Sequence, residues 1–351
     1  MIQFSQKQQR IINVFLQHER FSSSGLRAEM SKNGAELLSL VTIKRMLSVL
    51  VRQGALKISG AGRATTYSIS ALGRIFAAVD AKEYCAVEPD KRYGQRGYNF
   101  DLLAAFPAEL FNATELAQMD NATTEYRQRI KDLPPAIQKN ELERLIIELS
   151  WKSSKIEGNT YTLLDTENLI RKNQAAAGKT REETQMILNH KAAFDFIRTH
   201  KDDFRDITRA GLEELHAILI KNLKVNTGFR KKPVGVLGSV YCPLDNVYQI
   251  TEAVEMLLVK ISTVASPYAK AFLALLGLAY IQPFEDGNKR TARLLTNAIL
   301  LAHDLAPLSY RSVVENDYRE AVLVFYELNS IVSFKKIFIE QYLFAAKNYA
   351  V

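Results

Sequence analysis

Residues 281–293, Ile281-Gln-Pro-Phe-Glu-Asp-Gly-Asn-Lys-Arg-Thr-Ala-Arg293, decide how this chain is read. A Gly-Asn turn flanked by acids and bases enters an apolar helical run, Thr291 to His303. The first amides of a helix lack intrahelical partners and carry the positive end of its dipole, so such a junction binds anions. Gly287 lets the backbone approach an anion closely. Lys289, Arg290 and Arg293 add charge, and Arg290 and Arg293, three apart, share roughly one helical face. Asp286 offers a carboxylate for a Mg2+ ion that bridges phosphates. Ala269 to Ile281 reads as a buried helix leading in, and Leu294 to Leu301 as one leading out.

Two further pieces lie upstream. Leu142, Leu145, Ile146 and Leu149 recur at helical spacing before Ser153-Ser-Lys-Ile-Glu157-Gly158-Asn159, which places Glu157 at a helix end with Gly158 as its C-cap. Thr227-Gly-Phe-Arg230 precedes Pro233-Val-Gly-Val-Leu-Gly-Ser-Val-Tyr-Cys242, two β-prone runs about Gly238 that read as a hairpin.

The loop at 282–293 resembles the signature of the Fic/Doc (Fido) family, H-P-F-x-[D/E]-G-N-[G/K]-R-x-x-R, matching it at Pro283, Phe284, Asp286, Gly287, Asn288, Arg290 and Arg293. The resemblance implies an all-helical domain over 100–351 that binds ATP through Gly287, Asn288, Lys289, Arg290 and Arg293, with Mg2+ at Asp286. It implies transfer of AMP to a Ser, Thr or Tyr hydroxyl of a target protein, with Asn288 and Arg290 among the catalytic groups. The family's His is the general base, and here that position is Gln282, whose amide has no useful basicity. Segment 153–159 is similar to the inhibitory motif [S/T]-x-x-x-E-[G/N]. That likeness makes about 139–157 an inhibitory helix, in which Ser153 and Glu157 act and Glu157 pairs with Arg293. The segment at about 233–242 is similar to the flap, a short β-hairpin that holds the target by strand addition. Lys289 is a feature of the Doc branch, which transfers phosphate, whereas Arg293 belongs to the adenylyltransferase type. Leu215-His216 resembles an L-H-x-x-L segment, with His216 read as a core histidine inside an amphipathic helix. Four readings follow: an autoinhibited and degenerate adenylyltransferase, a regulator whose Fic domain only senses a nucleotide or partner, a Doc-like phosphotransferase, and a Glu157-assisted remover of AMP.

The rest of the chain adds a second module. At 351 residues it is long enough for two domains, and 47% hydrophobic with 24% charged residues is a soluble globular composition. The apolar run at Ala271 to Ile281 is far short of the ~20 residues of a membrane span. Cys85 and Cys242 make no disulfide framework or metal cluster, and the N-terminus has no signal-peptide pattern, which points to the cytoplasm. Residues 1–79 hold four Lys and seven Arg against three Glu; the other 272 residues hold 35 basic and 35 acidic, so all the net charge of +8 lies in the first quarter. That quarter reads as a winged helix-turn-helix: a helix over Gln6–Leu16, a short one through Met30, and one over Thr42–Arg52 ended by Gly54. Strands Ala55–Ile58 and Thr65–Ile69 would form the wing. Lys44, Arg45 and Arg52 on the recognition helix and Arg63 on the wing are the candidate DNA contacts. Residues 80–99 read as a polar linker, and the aromatic helical tail from Tyr318 to Tyr349 as core or homodimer packing.

Overall fold

The computed structural model describes residues 3–32, 38–131 and 133–351. They form two compact units whose segments alternate along the chain: 1–107, 235–242 and 316–336 in the first, and 108–234, 243–315 and 337–351 in the second. The fold is mostly helical, and among the described residues it contains one sheet, a two-stranded antiparallel pair.

In the first unit, helix α1 (Gln6–Gln17) opens with a reciprocal capping box between Ser5 and Gln8. Helices α2 (Ser23–Lys32) and α3 (Leu40–Arg52) follow, the latter capped by Ser39. Strands β1 (Leu56–Ser59) and β2 (Thr66–Ile69) pair with Leu56 opposite Ile69. The apolar periodicity becomes a core of Ile11, Ile12, Phe15 and Leu16 with Leu26, Met30, Ile43, Leu47 and Leu50. Each such side chain taken out of water stabilises the unit by about 1.5–3 kcal/mol. Lys44, Arg45 and Arg52 are left exposed on α3, and Arg63 is exposed on the short 3-10 turn between the strands.

Two expectations need correction. Residues 80–99 are not an extended linker. They carry a helix, Ala81–Ala86, capped by the Asp80 carboxylate, and a 3-10 turn, Pro89–Lys91. Tyr84 is buried in the same core as α1, together with Val324 and Leu328 of helix Glu315–Leu328. A helix this short buries one aromatic ring and exposes Lys82 and Glu83, so its composition looks like a linker. The segment 233–242 turns at Leu237–Gly238, closed by the Ser239 amide donating to the Val236 carbonyl (3.1 Å), but it forms no strand ladder. The Cys242 amide donates outside the segment, to the Arg96 carbonyl (2.7 Å), and the Tyr241 amide donates locally to Ser239 Oγ (3.1 Å).

The second unit is built around helix Pro267–Ile281, in which every residue from Ala271 to Ile281 is buried, as befits a helix apolar all round. Helix Asn288–Ala302 packs beside it and starts three residues earlier than its apolar run predicts. Rings of Phe111, Phe272 and Phe338 meet at 5.2–5.8 Å between centroids. Helices Pro135–Ile156, Arg181–Thr199 and Arg209–Leu219 pack against Asn288–Ala302, and Val247–Thr263 packs against Pro267–Ile281. Among the described residues no helix is long and apolar enough to cross a membrane.

Candidate functional site

The loop between the two central helices is fixed from several sides. Helix Pro267–Ile281 ends at Gln282, which adopts a left-handed backbone (φ 53°) while its amide donates to the Leu278 carbonyl. The Gln282 side chain turns back, Nε2 donating to the Ala279 carbonyl at 2.6 Å. Arg230, almost wholly buried, donates from Nε to the Gln282 carbonyl (2.7 Å) and from its backbone amide to the Pro283 carbonyl (2.9 Å). Its remaining nitrogens reach the carbonyls of Lys232 and Leu244. Asn288 closes the turn: Oδ1 accepts from the Phe284 amide and Nδ2 donates to the Phe284 carbonyl, both at 2.8 Å. Phe284 stacks on His216 with centroids 3.6 Å apart, and His216 Nε2 lies 3.0 Å from the Asp286 carbonyl. That contact requires the proton on Nε2.

Gly287 then has φ 79°, a conformation that side chains avoid, and it starts the helix with no side-chain cap. The amides of Asn288, Lys289 and Arg290 have no intrahelical acceptor at this end, which is the arrangement an anion fills. Arg290 points into the same region. Its Nη2 donates to Asp286 Oδ2 (2.8 Å), whereas Nη1 is buried without a partner. A buried donor of that kind costs stability until something accepts from it.

Arg293 is fully buried and occupied. Nε donates to Ser153 Oγ (2.8 Å), and Nη2 to the Ser153 carbonyl and Glu157 Oε1 (2.9 Å each). Lys289 Nζ takes the second Glu157 oxygen at 3.0 Å. The carboxylate at the end of helix Pro135–Ile156 is thus clasped by two cations from the loop's helix. Burial pushes the Glu157 carboxyl up, but the charges of Arg293 and Lys289 outweigh it and hold the group down at about 2. Behind Ser153, its Oγ meets His190 Nε2 at 2.8 Å. Burial first, then the charges of Arg293 and Arg290, hold His190 well below the usual histidine range. Burial likewise lowers His216 to about 4. Both rings are neutral at physiological pH, and neither is poised near 7 as an efficient general base would be.

A magnesium ion would find one carboxylate here. Asp286 is largely exposed and paired with Arg290, and the described residues hold no cluster of three or more metal-ligating side chains. That fits Mg2+, which keeps several waters and is commonly held by one or two carboxylates plus substrate phosphates, provided Asp286 releases Arg290.

The fold therefore brings together Ser153, Glu157, Gln282, Asp286, Gly287, Asn288, Lys289, Arg290 and Arg293 from two stretches far apart in sequence. Lys44, Arg45, Arg52 and Arg63 belong to the other unit. Arg230 and His190 were not singled out as site residues. Phe229-Arg230 offered a faint signal, but nothing near His190 in sequence announces its bond to Ser153, 37 residues away.

Comparison with known proteins bears on this geometry. The family model described as Fic/DOC family matches residues 206–300. A protein adenylyltransferase Fic of Nematostella vectensis is 32% identical over 174 residues, which is 48% of this chain and 41% of that protein. One of Aedes aegypti is 30% identical over 201 residues, 56% of this chain and 40% of that protein. The chain thus spans about two fifths of the length of these curated relatives. Among solved structures, a Fic domain containing signaling protein from Bacteroides thetaiotaomicron superposes with a TM-score of 0.55 at 20% identity, covering 66% of this chain and 94% of that one. Fic-1 from C. elegans gives 0.55 at 19% identity, with 67% and 70% covered. These last likenesses concern the fold. Taken with the loop at 281–293, the matches identify residues 206–300 of this chain as a Fic/DOC family domain.

Proposed function

We propose that this chain is a nucleotide-binding Fic protein, related to enzymes that pass AMP from ATP to a Ser, Thr or Tyr hydroxyl of a target protein, held off by Glu157 and weakened by Gln282. The observation that carries this reading is the clasp on Glu157: Arg293 at 2.9 Å and Lys289 at 3.0 Å, beside an uncapped helix N-terminus and the orphaned Nη1 of Arg290. Cations suited to phosphate are already paired with a carboxylate of the chain itself. In the transfer, the target oxygen bonds to the α-phosphorus, the bond to the β-phosphate oxygen breaks, and pyrophosphate leaves. The hydroxyl proton must go to a base, and an amide at 282 cannot take it. Phosphoryl-type transfer depends mostly on positioning and charge, so the missing base slows the reaction by about 10²–10⁴. While Arg293 and Lys289 hold both of its oxygens, Glu157 is not free to take a proton from water, which disfavours the hydrolytic reading.

The test is transfer of label from α-labelled ATP with magnesium to lysate protein, with Glu157→Gly beside the wild type. Weak labelling that increases in the variant is the expected result, and label passing only from γ-labelled ATP would replace AMP transfer with phosphotransfer, the reading Lys289 favours.

The gate is expected to ignore pH. The folded value of Glu157 lies below its ordinary 4.5, so the pair contributes stability above about that pH and loses it only as pH falls towards 2. The ratio of ATP affinities of wild type and Glu157→Gly should stay constant between about pH 5 and 8. A ratio that collapses at pH 5 in equilibrium titrations would mean that protonation opens the gate.

A second reading is favoured by a specific observation: α3 keeps Lys44, Arg45 and Arg52 exposed and largely away from its buried Ile43, Leu47 and Leu50, and Arg63 is exposed between the strands. In that reading residues 1–79 are a winged helix that binds DNA, and the Fic domain only senses a nucleotide or a partner. Four phosphate contacts give a slope of about −3 to −4 for log affinity against log salt. Fluorescence anisotropy on a duplex pool measures it, Arg45→Ala should make it shallower by about 1, and a slope near zero would leave DNA out.

A further inference from the structure

Within the first unit, a buried charge cluster lies on no element of the candidate site. The Glu327 side chain is fully buried and that of Arg92 is 5% exposed, with Arg92 Nη1 3.3 Å from Glu327 Oε1. Burying such a pair is costly unless its remaining lone pairs and protons are bonded, and here they are. Tyr84 Oη shares its one proton between Glu327 Oε2 at 2.7 Å and the Tyr93 carbonyl at 2.5 Å, and Ser239 Oγ donates to Oε1 at 2.6 Å. Arg92 donates from Nε to the Val87 carbonyl (2.8 Å), from Nη2 to the Cys85 carbonyl (3.3 Å) and from Nη1 to the Gly238 carbonyl (3.0 Å). The Glu327 carbonyl accepts from the Gln95 amide at 2.7 Å. Burial, and then the bond to Glu327, push the Tyr84 phenol far above its usual range, so it stays a donor.

What the cluster connects is informative. Tyr84 belongs to the core that α1, α2 and α3 share. Ser239 and Gly238 belong to the 235–242 turn, whose tip, Leu237, is wholly exposed. The turn has no ladder of its own, so these side-chain bonds and the Cys242–Arg96 backbone bond replace strand pairing.

We infer that Arg92 and Glu327 are positioning residues that seat the 235–242 turn and tie it to the N-terminal module, so that the turn's order depends on that module. The inference rests on reading 233–242 as the flap that meets the target protein. The flap is then ordered through Tyr84 and Arg92, and whatever loosens the N-terminal core at Tyr84 loosens the target-docking segment.

Hydrogen–deuterium exchange on the full chain tests this without nucleotide. The readouts are the Ser239 and Cys242 amides, whose acceptors are the Val236 and Arg96 carbonyls. Tyr84→Phe, which deletes the hydroxyl that meets both Glu327 and the Tyr93 carbonyl, should speed both roughly tenfold, as should Ser239→Val, while amides of 282–293 stay unchanged. Ser239→Thr keeps the hydroxyl and should restore slow exchange; a merely packing role would make Val and Thr equivalent. Glu327→Gln adds a third comparison, and the conclusion stands on the other variants if it fails to fold. Unchanged exchange at Ser239 and Cys242 in Tyr84→Phe, or equal behaviour of Val and Thr, overturns the inference. Failure of ATP to bind would remove the nucleotide reading and leave this result standing.

Discussion

In a Glu157→Gly background, Gln282→His is expected to raise AMP transfer by about 10²–10⁴, the usual contribution of a positioned general base. The backbone at 282 accepts the change. Its φ is 53°, and histidine is among the residues enriched in left-handed conformations. Arg230 holds the carbonyl of residue 282 whatever side chain it carries, so the loop stays in register. The change gives up the bond from Gln282 Nε2 to the Ala279 carbonyl. Measured as the initial rate from α-labelled ATP, a gain in turnover with an unchanged KM for ATP marks a restored proton acceptor, since an interaction made only in the transition state changes kcat. No gain, with ATP bound, would mean that base chemistry is not what this site lacks.

Glu157→Gly alone should have two opposed effects. Without nucleotide the protein loses stability, because removing one partner of a buried pair costs about 3–5 kcal/mol when the remaining charge is uncompensated. The lower end is expected, since Arg293 keeps two bonds to Ser153 and Lys289 is partly exposed. With nucleotide the freed cations gain a new acceptor, and ligand that binds only the folded state restores stability by mass action. Thermal unfolding with and without ATP and magnesium reads both effects. A variant as stable as wild type, with no shift on adding ATP, would remove Glu157 from the site.

The two sources of information in the sequence differ in reach. The loop was legible because its residues are consecutive: a turn, flanking charges and an apolar helix state their chemistry within thirteen positions. The all-helical domain was expected from the family resemblance, whereas the buried faces of α1 and α3 followed from periodicity. The Glu157–Arg293 contact spans 136 residues and was expected only through the family resemblance; the structure adds Lys289 as a second cation on the same carboxylate. His190 and Glu327 were not legible as parts of any site, and Arg230 only faintly, because their main partners, Ser153, Arg92 and Gln282, lie far away in sequence. The 80–99 stretch failed for a different reason. A six-residue helix with one buried tyrosine carries too little periodicity to separate from a polar linker. At 233–242 the β-prone residues were read as a hairpin; the turn at Leu237–Gly238 is present, but no strands pair across it, and the Cys242 amide goes to the Arg96 carbonyl.

The most direct test of the central claim, a nucleotide cradle gated by the chain's own carboxylate, is titration calorimetry of ATP with magnesium into wild type and Glu157→Gly. A charge-assisted hydrogen bond gained by each phosphate contact contributes about 1.5–3 kcal/mol, so freeing Arg293 should tighten binding by at least about tenfold. Measurable wild-type binding with tighter binding by the variant is the predicted result. Equal affinities, or no binding by either protein, would contradict it.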